Sequence, residues 1–223
     1  MKGVFVPRIA GTVLLALAAS FAQNTSPGAV RWAEGAPNAT SEVKNDMKIE
    51  GLTTDDVHIF ASIADIKDTE YNRVCVQVAN HSKAPIDFNP QSAVLLKGDK
   101  SVRAEVSEKA ANSIQKYGEA KSQELSSAHC NVMMKGGSGG PGCQPTNTQV
   151  QMSKQVLEFS NKQSQWVRDN AVAQKTLAPG EEAQGAIVFK KDKKPADYIL
   201  RIAVGADVFE FPLSAQNKAP SYD

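Results

Sequence analysis

The spacing of apolar residues changes twice along this chain, and that change decides what it can fold into. From Val57 the period is two, with Val57, Ile59, Ala61 and Ile63 alternating with His58, Phe60, Ser62 and Ala64. Successive side chains of an extended chain point to opposite faces, so this predicts a strand with one core face. After Asp68-Thr69-Glu70, the segment Tyr71–Asn80 sets Val74, Val76 and Val78 on one side and Arg73, Cys75, Gln77 and Ala79 on the other. β-Branched residues suit a pleated, half-buried surface, and Asn-His-Ser-Lys ends the run in a turn. Shorter strands are predicted at Ile86–Phe88, 93–96 and 102–106, with Lys97-Gly98-Asp99-Lys100 as a hairpin connection.

The period then becomes helical. Ala110, Ile114, Tyr117, Leu125 and Ala128 recur on a surface otherwise made of Lys, Glu, Gln and Ser. Farther on, Met152, Val156, Phe159, Gln163, Trp166, Asn170 and Ala173 step alternately by four and three, which traces one narrow face of an amphipathic helix. Between the two lies the glycine-rich run Lys135-Gly136-Gly137-Ser138-Gly139-Gly140-Pro141-Gly142, which a helix does not accommodate. The pattern predicts a helical hairpin over about 107–174 with this run at its tip.

Period two returns after the turn Leu177-Ala178-Pro179-Gly180-Glu181. Residues 183–190 form one strand, and Asp197–Val204 and 208–213 form a terminal hairpin with Phe209, Phe211 and Leu213 on a shared face. About eight short strands with no strand–helix alternation predict a mainly β, antiparallel sandwich interrupted by the helical hairpin. At 41% hydrophobic over 223 residues the chain has material for such a core. Residues 23–54, rich in Asn, Thr, Ser, Pro, Gly and Ala, are expected as a flexible arm in which Trp32 alone has reason to dock. Residues 215–223 are expected as a disordered tail.

Residues 1–22 have the pattern of an export signal. Lys2 and Arg8 precede an uncharged apolar run, and Ser20-Phe21-Ala22 or Ala16-Leu17-Ala18 places small residues before a cleavage point after Ala22 or Ala18. The run is short of the roughly 20 residues that span a bilayer, and no other segment reaches that length. Cleavage after Ala22 removes two bases and no acid, leaving 23 basic and 24 acidic residues. A chain so balanced has no electrostatic reason to seek nucleic acid. The expected location is the periplasm or the medium.

Val76-Gln77-Val78-Ala79-Asn80 followed by Pro85-Ile86-Asp87-Phe88 resembles the V-x-V-x-N … P-I-x-F stretch of exported bacterial immunoglobulin-like domains. Leu177-Ala178-Pro179-Gly180-Glu181 and Gly185-Ala186-Ile187-Val188-Phe189 are similar to their L-x-P-G-E … G-x-I-V-F segment. The resemblance spans about residues 55–214 and implies an immunoglobulin-like sandwich in an exported protein. It carries over no catalytic residue, and the paired cysteines of antibody-type domains are absent. Each matching residue also has a physical reason. The Asn80 amide can bond the turning backbone, Pro179-Gly180 suits a tight turn, and Gly185 marks a bulge or a close backbone contact.

Cys130 and Cys143 flank the glycine-rich tip, a spacing that suits a disulfide in an oxidising compartment. Two free thiols, or pairing of either with Cys75, are the alternatives; Cys75 is expected as a free cysteine in mid-strand. His129, Cys130, Met133, Met134 and Cys143 are the candidate ligands of a zinc or copper site, although the close C-x-x-C pairs of structural zinc sites are missing. The tip lacks the Gly-Lys-Ser/Thr ending of a phosphate loop, and there is no G-x-S-x-G elbow. Glu181-Glu182 and Asp55-Asp56 fall in turns, and the lysine-rich stretch 190–194 is expected as a soluble sheet edge or an anion-binding patch. No catalytic residue and no cofactor is expected. The expectation is a non-catalytic interaction or accessory module of a bacterial envelope, meeting a protein or a cell-surface component. A periplasmic metal-binding protein, or an enzyme or inhibitor with a dispersed site, is the alternative.

Overall fold

The computed structural model describes residues 28–44, 47–66, 69–134, 145–191 and 197–214. Among them are strands β1 (Val30–Arg31), β2 (Ala39–Lys44), β3 (Met47–Thr53), β4 (Val57–Asp65), β5 (Tyr71–Asn80), β6 (Ile86–Phe88), β7 (Val94–Lys97) and β8 (Lys100–Arg103). Helices α1 (Ser107–Met134) and α2 (Asn147–Asn170) follow, then β9 (Lys175–Leu177), β10 (Glu182–Lys190), β11 (Asp197–Val204) and β12 (Asp207–Ser214). Over the described residues the protein is mainly β, with two sheets and one helical pair. No helix among the described residues is long and apolar enough to cross a membrane.

One sheet has five antiparallel strands in the order β10-β5-β4-β3-β2. The other has seven. In it β1 lies parallel to β12, β12 pairs with β11, and both β6 and β7 pair antiparallel with β11. A 3-10 turn at Pro90–Ser92 separates β6 from β7; the Asn89 side chain caps it by accepting from Gln91 N at 3.0 Å. Outside them β9 pairs with β6, and β8 with β7. β8 and β9 thus continue one edge line, interrupted by the helical hairpin.

The two sheets face each other across the main core. Leu52, Val57, Ile59, Ile63, Val74, Val78 and Phe189 of the first sheet meet Phe88, Leu95, Leu177, Leu200, Ile202, Phe209 and Phe211 of the second. On β5 the valines point into this core while Arg73, Cys75 and Gln77 point away, as the alternation predicts. Asn80 donates from Nδ2 to Ala84 O at 2.8 Å and to Leu177 O at 2.9 Å, tying the end of β5 to the turn and to β9.

The hairpin leaves the edge after Arg103. Glu105 N donates to Val188 O of β10 at 2.8 Å, and on the return Val172 N donates to Ala186 O at 3.1 Å. Ile66, Tyr71 and Val188 on the outer face of the five-stranded sheet then pack with Ala110, Ala111, Ile114 and Val167 of the helices, a second core. Arg168 ties α2 to α1, donating from Nη2 to Asn112 Oδ1 at 2.8 Å and pairing with Glu108 at 3.2 Å. The N-terminus of α2 is closed by a capping box between Thr146 and Gln149.

Three expectations are corrected. Residues 30–53, read as a flexible arm, supply β1, β2 and β3. β2 is an edge strand exposed along almost its whole length, and β3 carries Glu50 on its core side, so neither shows apolar alternation. Trp32 does dock: it packs on the core and donates from Nε1 to Thr40 O at 2.8 Å. The apolar face traced along α2 is not the one that meets α1. The buried residues of α2 are Ser153, Ser160, Gln163, Ser164 and Val167, of which Gln163 alone belongs to the traced face, while Met152 is 47% exposed. Ser153 Oγ lies 2.7 Å from Ser122 Oγ and 3.1 Å from Ser126 Oγ, so small polar side chains join the helices. Finally, Lys175–Leu177, read as leading into a turn, is a strand. The expected signal at 1–22, the glycine-rich tip and the tail at 215–223 lie outside the described residues.

Candidate docking surface

The outer face of the five-stranded sheet is covered by the helices only at one end. Register across β3, β4, β5 and β10 sets its rows: Gly51, Phe60, Gln77 and Gln184; then Ser62, Cys75 and Ala186; then Ala64, Arg73 and Val188. The last row lies under the helical pair. Over the middle row a hollow of about 460 Å³ opens between Ile49 of β3 and the end of α2, where Trp166, Asp169 and Asn170 form the wall.

Two glycines make this shape possible. A Cβ on Gly51 would lie 2.7 Å from the Phe60 ring, so the missing side chain lets that ring lie across β3. A Cβ on Gly185 would lie 2.7 Å from Asn170 O and 2.8 Å from Val172 N, so the chain leaving α2 rests directly on β10. The close backbone contact expected at Gly185 is present.

Trp166 is the corner of the site. Below it lies the Arg73 guanidinium, 4.5 Å from the ring centroid and 3% exposed as a residue. Burial draws its pKa below the ordinary arginine value. Beyond it, Gln155, Glu158, Phe159, Lys162 and Gln163 line a second hollow of about 400 Å³ along α2. Trp166 lines both hollows, so an aromatic and amide surface runs from the sheet up the helix.

The polar groups around the first hollow are held in place. Gln77 donates to Glu182 Oε2 at 2.9 Å, Gln165 to Asp169 Oδ1 at 2.7 Å, and Asn170 to Trp166 O at 2.9 Å. Cys75 carries a free thiol. Burial pushes its pKa up, against the opposite pull of Arg73, so the sulfur stays protonated at neutral pH and is a poor nucleophile. His58 lies at the far end of the face, its ring 4.4 Å from Phe60 and 6.1 Å from His81. Burial first, and the neighbouring His81 second, lower its pKa.

The structure brings His58 and His81 together with Glu182 nearby, yet among the described residues no group of three His, Cys, Asp or Glu side chains is arranged to hold a metal. His129, Cys130, Met133 and Met134 fall in the last turns of α1; their side chains, and all of Cys143, lie outside the described residues, as does the Cys130–Cys143 pairing. Glu181 is engaged in its turn, pairing with Lys175 and accepting from Ala178 N. Of the lysine-rich stretch, Lys191 pairs with Asp65 at 2.7 Å and Lys190 with Glu70 at 3.9 Å; 192–196 are outside the described residues. The hollow itself escaped the sequence reading, because its floor is one residue in two from strands far apart in the chain. Of the narrow face traced along α2, Trp166 and Asn170 reach the wall of the hollow, and Phe159 and Gln163 line the second hollow.

No family model, no curated protein and no solved structure matches this chain.

Proposed function

We propose that this protein is an exported, non-catalytic interaction module of a bacterial cell envelope, with the fold of an immunoglobulin-like sandwich and a partner that docks beside its helical pair. The observation that carries the reading is the surface that runs from Phe60 and Gln77 through Trp166 to Phe159. Aromatic rings flanked by fixed amides and few charges are what recognition of a polypeptide surface uses. The residues between are ordered by their own hydrogen bonds, which limits the entropy lost on docking. Export rests on the pattern of residues 1–22.

The test is site-specific photo-crosslinking in the native host. A benzophenone side chain at Phe159 is expected to give a defined adduct in the envelope fraction, and one at Pro212, exposed on the other sheet, is expected to give none. The same adduct from both positions, or none from Phe159, would remove the docking surface. Peptide mapping of the envelope fraction should find the chain beginning at Gln23 or Ala19. A chain that keeps Met1 would remove the claim of export by a cleaved signal.

A further inference from the structure

We propose that β2 is a self-association edge, along which two copies of this chain pair antiparallel about a twofold axis at Val43. β2 is the last strand of its sheet, and no described strand lies beyond it. Five of its six residues are exposed, and Val43, a β-branched apolar residue with a high strand preference, is 74% exposed. An edge of this kind is a template for another strand. The opposite edge of the same sheet is bridged by Glu105 and Ala171, which leaves β2 as the open side.

The direction of the free backbone groups follows from the ladder. Thr53 N donates to Asn38 O at 2.9 Å, which makes Asn38 and Thr53 a hydrogen-bonded pair. Such pairs alternate, so Thr40, Glu42 and Lys44 turn their backbone groups toward β3, and Ser41 and Val43 turn theirs outward. At the start of the strand Ala39 N already donates to Ala36 O at 3.0 Å.

Charge then chooses the register. An axis at Glu42 would set two carboxylates opposite each other. An axis at Ser41 would call on Ala39 N, which is taken. An axis at Val43 makes Val43 and the partner's Val43 a hydrogen-bonded pair and sets Glu42 opposite the partner's Lys44, and Lys44 opposite the partner's Glu42. Those flanking pairs are of the non-hydrogen-bonded kind, in which side chains approach most closely. The two five-stranded sheets become one continuous sheet across the axis.

The test is sedimentation velocity on the purified exported chain at up to about 1 mM, a range in which small, weak interfaces register. The expected result is a concentration-dependent dimer. Glu42→Lys and Lys44→Glu should each weaken it about tenfold or more, and an equimolar mixture of the two variants should restore association, because each supplies the charge that the other lacks. Val43→Pro removes an outward N–H without taking a bond from the β2–β3 ladder, so it should abolish the dimer while leaving the urea midpoint near that of the parent. A monomer over the whole range overturns the proposal. A dimer indifferent to these substitutions, or singly weakened variants that the mixture does not restore, overturns it as well. A β2 edge found paired with a strand of another protein, with no self-association, does the same.

Discussion

Gly118 of α1 and Ser160 of α2 approach so closely that a Cβ on the glycine would overlap the serine side chain. The helices are therefore locked at a distance that only glycine permits at this level. Gly118→Ala should push them apart and destabilise the protein by about 1–3 kcal/mol, in spite of the better helix propensity of alanine. Urea unfolding should show the loss, and Ser160→Gly in the same chain should recover part of it. Equal stability of Gly118→Ala and the parent would mean that the pair does not set the spacing.

Gly185 faces backbone rather than side chain, and backbone gives way less easily. Gly185→Ala should cost about 2–3 kcal/mol, more than Gly180→Ala, whose site has open space but a positive φ of 78°. Thermal denaturation of the two variants side by side gives the ranking.

Much of this architecture is readable from residues. β5, β6 and β11 coincide with the predicted segments, because a buried strand with one core face writes period two into its valines and isoleucines. The roles of Asn80, Gly180 and Gly185 follow from chemistry that only those residue types supply. The helix–helix contact is different. Above the apolar base of Ile114 and Val167, Gly118, Ser122, Ser153 and Ser160 form it, and such small residues leave no trace in a hydropathy pattern. β2 and β3 were hidden for a related reason: one is exposed on both faces, and the other puts a glutamate toward the core. The hollow beneath Trp166 is assembled from residues of four strands and the end of α2, so no contiguous motif announces it.

That glutamate makes its own prediction. Glu50 is 1% exposed and pairs with Lys48 at 2.7 Å. Burial raises its pKa above the ordinary carboxylate value, and the bond and charge of Lys48 only partly offset this. A carboxyl with a raised folded-state pKa favours folding below its unfolded value and loses that advantage as pH rises through the folded one. Glu50→Gln mimics the protonated form, so its stability relative to the parent should improve from pH 4 to pH 7. Chemical denaturation across that range decides it; a constant difference would count against the assignment.

His58 acts in the other direction. Its Nε2 is buried with no hydrogen-bond partner among the described residues, and its folded-state pKa is lowered. The unfolded chain then takes up a proton first, so stability is whole above about pH 6.5 and falls as pH drops through the lowered folded value. Between pH 7.5 and 5.5 the urea midpoint of the parent should decline, and in His58→Gln the decline should be smaller. An identical decline in both would assign the acid sensitivity to other groups.

Glu105 and Ala171 bridge to Val188 and Ala186, positions two apart on one strand. The two ends of the helical pair are therefore separated by roughly 7 Å along β10. A segment whose ends nearly touch can be lengthened, shortened or exchanged without shifting the register of either sheet, so the sandwich is a natural graft point. Any replacement would have to keep the patch of Ile66, Tyr71 and Val188 dry and supply a cover for Arg73 in place of Trp166.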